Sequence, residues 1–319
     1  MHKPASPLSI WAGIIVLYVV WGSTYLGMKL AMDSLPPFVM GFLRFVPAGL
    51  LLAGGVAIRD RGSIHRPSTV QLRDVTVVGT CLLLGGTGLV AWGEQTVATG
   101  IAALLIGLVP MWLAVFGRLL FGERIPVLAA VGIAVGLVGV AILAWPAGDV
   151  GPLDPGGLLA LIVSPMFWSL GTLYAARRAL LPRPALFSTG LQMIAGGIGF
   201  LVVAVLTGEM RGFDLAAVSP TSWFGIAYLV VVGSLVGFTT YAWLLTVAPL
   251  GRVATYAYVN PVVAVILGSI VLGEPLTART AVAAAVIVLA VALIVTGRGR
   301  ESRLARREAV PVPAEAPGG

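Results

Sequence analysis

The chain has 319 residues, of which 58% are hydrophobic and 10% charged, with a formal net charge of +7. A soluble domain of that size cannot hide so much apolar surface, so most of this chain has lipid as its solvent. The single cysteine, Cys81, and the two histidines, His2 and His65, exclude a disulfide framework, a histidine metal site and a histidine-based catalytic triad, and no metal or cofactor is expected.

Ten apolar runs follow in order. They are Leu8–Met32, Pro37–Ile58, Leu72–Ala98, Gly100–Phe121, Val127–Trp145, Leu158–Ala179, Ala185–Leu206, Ser222–Ala248, Val253–Leu272 and Thr277–Thr296. Each is about 20 residues or more, enough to cross a hydrocarbon core of roughly 30 Å as a helix. The first run is too long for a secretory signal, lacks a persuasive cleavage site and precedes nine more spans, so it is read as retained. With the N-terminus in the cytoplasm, sixteen of the twenty Lys and Arg residues fall in inside segments. Arg211 and Arg279 fall outside, and Lys29 and Arg44 lie within spans. That asymmetry predicts a multi-pass protein of the plasma (bacterial inner) membrane with both termini cytoplasmic. The positive charge sits between helices, so no nucleic-acid partner is expected. The expected partners are a small-molecule substrate and membrane lipid.

The chain repeats. Gly100–Glu123 is echoed by Gly251–Glu274 at an offset of 151 residues, which also matches Trp92 with Trp243 and Pro110 with Pro261. Earlier in each half the offset is 147, matching Trp21 with Trp168 and Pro37 with Pro184. Five spans is an odd number, so the second half must enter the membrane inverted. The predicted fold is therefore an all-α integral membrane protein of ten transmembrane helices in two inverted five-helix repeats. The first repeat spans 8–146 and the second 156–297, with a disordered cytoplasmic tail over 298–319. Inverted repeats place a binding site near the midplane between the halves. Pro110 and Pro261, each in the middle of a span, are expected to kink their helices.

The stretches WGSTYLGMKLAM, LPPFVMGFLRFVPAGLLL, GIAALLIGLVPMWLAVFGRLLFGERI and GRVATYAYVNPVVAVILGSIVLGEPLT, in this order and spacing, resemble the EamA-type transporters of the drug/metabolite transporter superfamily. The resemblance covers roughly Ile10 to Thr296. It implies ten helices, cytoplasmic termini and export of small metabolites, amino acids or drugs. It also implies a central cavity framed by the third, fourth, eighth and ninth helices with the first and sixth. It names no substrate.

Charged residues within spans are the sharpest functional clue, because burying one in lipid costs about 2.5–3.5 kcal/mol or more. Lys29, Arg44 and Glu94 fall at similar depth in the outer half of the bilayer, and their repeat partners Ala176, Leu191 and Leu245 are uncharged. One reading is that they snorkel to headgroups or pair structurally. The other is a gate in which Glu94 pairs with Lys29 or Arg44, the leftover positive charge on Arg44 receiving a substrate carboxylate. Glu94 is also the candidate proton carrier, although a paired carboxylate would stay ionised. Trp21, Tyr25, Trp168, Tyr241 and Tyr256 lie deeper than an interfacial belt and are candidates to line a cavity for amphipathic solutes. Asn260, the only asparagine of the chain, precedes Pro261 and needs partners: the substrate, a carbonyl freed by the proline, or a neighbouring helix. Gly132, Gly136 and Gly139 read as close helix packing, with a homodimer face as the second reading. Gly122-Glu123 and Gly273-Glu274 read as helix stops.

The leading function is alternating-access export across the plasma membrane. An integral membrane enzyme would need a positioned base, nucleophile or metal, and the spans hold no histidine and, past Asp74 at the very start of the third, no aspartate. A non-transporting accessory subunit is the remaining reading.

Overall fold

The computed structural model of the chain describes residues 6–60, 64–144, 154–248, 250–253 and 255–308. Among them every regular element is helical. In chain order these are α1 (Pro7–Ala31), α2 (Pro37–Arg59), α3 (Thr69–Gly93), α4 (Thr99–Phe121), α5 (Val127–Ala144), α6 (Pro155–Arg177), α7 (Ala185–Leu206), α8 (Pro220–Val247), α9 (Tyr256–Leu272, after a short turn of helix at Leu250–Val253) and α10 (Ala278–Glu308). Eight are long and apolar enough to cross a membrane. The apolar parts of α5 and α9, Val127–Leu143 and Val259–Leu272, are shorter. Trp145, the expected end of the fifth span, lies outside the described residues, as does Pro249 in the turn before α9.

Local chemistry sets the helix starts. Ser6 caps α1, with Pro7 at its first position, through a bond from Ser9 N to Ser6 Oγ (3.1 Å). Ser68 and Gln71 form a reciprocal capping box on α3. Asp154 caps α6 and Ser219 caps α8. The N-cap residues of α2 and α4, Pro36 and Ala98, provide no side-chain cap. Both helices borrow a carboxylate from a distant connection. Glu209 Oε2 accepts from Phe38 N (3.0 Å) and Val39 N (3.1 Å) at the start of α2. Glu274 accepts from Thr99 N (2.8 Å) and Gly100 N (3.2 Å) at the start of α4. An orphan N–H at a helix start needs an acceptor, and these carboxylates also complement the helix dipole.

The Gly-Glu pairs do stop helices. Gly122 (φ +67°) and Gly273 (φ +66°) take the left-handed conformation, and the next residue's N–H turns back to Gly117 O and Gly268 O, 3.2 Å in each case.

Packing follows the repeat. α2 lies along α7 and α5 along α10; α1 packs on α8 and α9 as α6 packs on α3 and α4. Exchanging the halves returns the α2–α7 and α5–α10 pairings to themselves and turns those of α1 into those of α6. Small residues allow the close approaches: Gly41 faces the Phe200 ring and Gly49 faces the backbone of Gly190. Gly132, Gly136 and Gly139 are covered by Ile294, Ala290 and Ile287 of α10, so this face is spent within the chain. Arg279 closes the same pair of helices by donating to the carbonyls of Ile142 (2.7 Å) and Leu143 at the end of α5.

Three features bear on the expected breaks and ends. α4 is interrupted, resuming at Val109 with Pro110 in its first turn, so the break falls at Gly107-Leu108 rather than at the proline. Pro fits an N-terminal turn without losing a hydrogen bond. Pro261, by contrast, sits inside continuous helix, and the discontinuity in that segment falls before Tyr256. Finally, α10 does not end near Gly297 but runs to Glu308, so the tail begins as helix. Arg, Leu, Ala and Glu are good helix formers, and Arg298 Nη2 holds Glu123 Oε2 at 3.0 Å. The rest of the expected tail, 309–319, lies outside the described residues.

Candidate functional site

Two stretches of unusual backbone mark the middle of the bundle. α3 is π-helical over Thr80–Gly88 and α8 over Leu229–Val236, at equivalent places in the two halves. Such widened turns are rare in helices and frequent at functional sites. Each stands against a tryptophan of the other half. A Cβ on Gly237 would lie 2.5 Å from Trp21 Nε1, and a Cβ on Gly86 would lie 2.8 Å from the Trp168 ring. At offsets of 147 and 151 these are the same contact made twice. A second pair of neighbouring contacts repeats likewise: Gly22 approaches Asn260 O, while Ser169 Oγ donates to Val109 O (3.1 Å). Ser164 Oγ donates to Gly86 O (2.8 Å), which gives a widened turn of α3 a buried donor.

Trp21, Tyr241 and Tyr256 come together. Trp21 meets Tyr256 edge-on at 4.9 Å between centroids and Tyr241 at 5.1 Å, and Tyr241 lies 6.1 Å from Tyr256. Phe238, not singled out in the sequence, completes the group 5.7 Å from Trp21. Tyr18 OH and Thr255 Oγ1 share a 2.6 Å hydrogen bond at its edge. Asn260, with its amide oriented by its hydrogen-bond surroundings, donates to Tyr256 O (3.1 Å) and Tyr18 O (3.3 Å), tying α9 to α1. Tyr25 stands apart from this group, against the main apolar core, and Trp168 sits across the bundle on α3.

Arg44 is buried, with 5% exposure. Its Nε donates to Ser234 Oγ at 3.3 Å and its guanidinium lies 4.6 Å from the centre of the Phe45 ring. It thus points from α2 into the widened stretch of α8, where Gly233 leaves room for Nη2. Ser234 was legible only as a lone hydroxyl beside a glycine in an apolar run.

Lys29 and Glu94 do meet, but not as an ion pair. Lys29 Nζ donates to the main-chain carbonyl of Glu94 at 2.6 Å. The Glu94 side chain is fully buried and neither carboxyl oxygen has a hydrogen-bond partner. On the other side of Lys29 opens a cleft of about 430 Å³, lined by Leu30, Asp33, Gln95, Thr221 and Leu272 among others. None of the aromatic candidates lines it.

The site therefore consists of paired helices, reciprocal Trp–Gly contacts and a few buried polar groups between two similar halves. Comparison with known proteins agrees. The family model described as the EamA-like transporter family matches residues 9–145 and 155–296. The uncharacterized inner membrane transporter YedA of Escherichia coli K12 is 33% identical over 294 residues, covering 91% of this chain and 92% of its own. A protein of Streptantibioticus cattleyicolor named as a probable terminal-alkyne amino-acid exporter is 26% identical over 274 residues, covering 83% and 86%. A solved crystal structure shares the fold with a TM-score of 0.60 at 23% identity, over 96% of this chain and 100% of that one. The two family matches, one to each half, and the identity to YedA over most of both chains place this chain in the EamA-like transporter family.

Proposed function

We propose that the chain is a secondary exporter of small amphipathic solutes, amino acids among them, in the bacterial inner membrane. In this reading its ten helices all span the bilayer as two inverted five-helix repeats, with both termini in the cytoplasm. Transport proceeds by alternating access between the halves. The observation that carries the reading is the duplicated tryptophan seat, Trp21 on Gly237 and Trp168 on Gly86. Equivalent contacts across the halves allow the two to exchange roles with little change in packing energy, as alternating access requires. The names of the relatives support export and an inner-membrane location, and the excess of Lys and Arg in alternate connections supports the orientation.

Within that reading the solute lies between α1, α6, α8 and α9. Trp21, Trp168, Tyr241 and Tyr256 give it apolar walls, with Tyr25 and Asn260 at their margin. Arg44 receives its carboxylate, exchanging the Ser234 bond for a charge-assisted one. Lys29 and Glu94 hold the gate through the main-chain contact.

Efflux of radiolabelled amino acids from preloaded vesicles, with neutral amines of the same size alongside, tests the reading. Flux of at least one amino acid above empty vesicles is expected. Arg44→Ala is expected to lose carboxylated solutes and spare neutral ones. No flux of any solute in the panel would remove the export reading, and equal loss of both classes would remove the role of Arg44.

A further inference from the structure

The Glu94 carboxyl has no function in the packing just described. It is 0% exposed, and both oxygens lack any donor. The ammonium that could pair with it, Lys29 Nζ, is bonded instead to the Glu94 carbonyl at 2.6 Å. The other charged or titratable groups that act on it are likewise engaged or of the wrong kind. Arg44, from α2, is bonded to Ser234. Glu274, from the α9–α10 connection, is a second carboxylate and is bonded to Thr99 N and Gly100 N. Tyr25, from α1, faces it from the apolar core. No action of Asp154, at the start of the adjoining α6, on Glu94 is seen; it accepts from Thr96 Oγ1 at 3.1 Å. Thr99 Oγ1 is also buried without a partner.

A bare carboxylate in that setting bears the desolvation of a charge with no hydrogen bond in return, only the unbonded attraction of Lys29 and Arg44 set against it and the repulsion of Glu274, whereas a carboxylic acid is neutral and bears far less. The partner the site lacks among its side chains is therefore a proton. When the ends of α1, α3 and α4 part, the same carboxyl meets water, where a glutamate gives up its proton above about pH 4.3.

We propose that Glu94 is a proton-binding site tied to closure of the α3–α4 end of the bundle. The carboxyl takes one proton from water as that end closes and returns it as that end opens. The proposal rests on the alternating-access reading for the movement, but not on the identity of the solute. Linkage fixes the sign: the closed form binds one more proton than the open form, so acid favours closure. The open-to-closed ratio rises by up to about tenfold per pH unit over the range in which only the open form is ionised.

The test needs no solute. In protein carrying Cys81→Ala, a cysteine replaces Ala102, which is fully buried in the first turns of α4. The protein is reconstituted in nanodiscs and its labelling by a water-soluble maleimide is followed from pH 5.5 to 7.5. The rate is divided by that of the exposed Thr221→Cys variant, which removes the pH dependence of thiol reactivity. The ratio is expected to rise at least tenfold over this range. It is expected to stay flat with Glu94→Gln and to keep its slope with Glu94→Asp, which also shows that substitution at 94 is tolerated. A flat ratio in the parent, or an unchanged slope with Glu94→Gln, overturns the proposal. Flat labelling with intact amino-acid efflux removes the proton site alone; pH-dependent labelling without efflux removes the export reading alone.

Discussion

Glu123 and Glu274 occupy matching places in the two halves, yet their surroundings predict different costs on removal. Glu274 accepts from Thr99 N and Gly100 N, both buried, at a helix whose own N-cap is Ala98. Losing an N-cap costs about 0.5–2 kcal/mol, and a buried donor left without an acceptor costs about 1–3 kcal/mol. Glu274→Ala should therefore destabilise the protein by about 2–4 kcal/mol, taking the two donors together and allowing water to reach them. Glu123 instead pairs with Arg177 and Arg298, whose side chains are 54% and 34% exposed. Exposed pairs are worth about 0.2–1 kcal/mol each, so Glu123→Ala, which breaks two, should cost about 0.4–2 kcal/mol, less than Glu274→Ala. Equilibrium unfolding in mixed micelles at rising dodecyl sulfate fraction, followed by tryptophan fluorescence, would compare the two variants. Equal losses would refute the reasoning, because they would mean that the shared Gly-Glu turn, and not the capping of α4, carries the energy.

Other expectations follow from the same contacts. Gly122→Ala and Gly273→Ala should each cost about 1–2 kcal/mol in the same assay, since a Cβ meets nothing there and only the left-handed backbone resists it. At Gly41 a Cβ would fall 2.1 Å from a Phe200 ring carbon; Gly41→Ala should cost about 1–3 kcal/mol by overpacking, and a double-mutant cycle with Phe200→Leu should return part of it. Burial pushes the Glu209 carboxyl up from its ordinary value, against the pull of the Val39 and Phe38 N–H groups. Its contribution to stability is then full below the unfolded-state value and lost as pH rises through the higher folded-state value. Glu209→Gln should flatten that part of the pH–stability curve measured from pH 4 to 8, and an unchanged curve would exclude Glu209 as its source.

The helices were legible because lipid-facing composition is a strong signal: Ala185–Leu206 agrees at both ends, and most other ends agree within three residues. The Gly-Glu stops were legible because φ > 0 singles out glycine and the motif occurs twice. What escaped notice depended on contacts far apart in the chain. No local pattern announces that Glu209 and Glu274 cap helices some 170 residues away, or that Glu94 offers its carbonyl and not its carboxylate to Lys29. A proline removes its own N–H and crowds the carbonyl four residues earlier, and its position in the helix decides whether either matters. Pro110 falls in the first turn of a restarted helix, where neither does, while Pro261 lies inside α9 with its neighbour Asn260 tied to the Tyr256 and Tyr18 carbonyls. The π-helical stretches read as ordinary glycine-containing spans; the Trp168 ring lies on Gly86 within one, and the Trp21 ring on Gly237 just after the other, contacts no local pattern announces.

A duplicated frame also constrains where function can reside. Contacts that repeat across the halves, such as the two tryptophan seats, contribute alike to both arrangements of an alternating cycle and so cannot choose between them. The choice must come from groups without a counterpart. Lys29, Arg44 and Glu94 have Ala176, Leu191 and Leu245 at the matching positions, and in this structure Lys29 is bonded to a carbonyl, Arg44 to a hydroxyl in the widened stretch of α8, and the Glu94 carboxyl to no partner at all. In the alternating access proposed above, opening the Lys29–Glu94 end would break the Lys29 bond and wet Glu94, while the matching positions of the other half offer only hydrocarbon to rearrange. On that proposal these three side chains contribute to the energy difference between the two arrangements. Replacing each by its repeat partner (Lys29→Ala, Arg44→Leu, Glu94→Leu) should bring the two arrangements towards equal population. Maleimide labelling of single cysteines buried at either end would register this as similar rates at both, and a persistent preference for one end would show that the bias lies in the apolar packing instead.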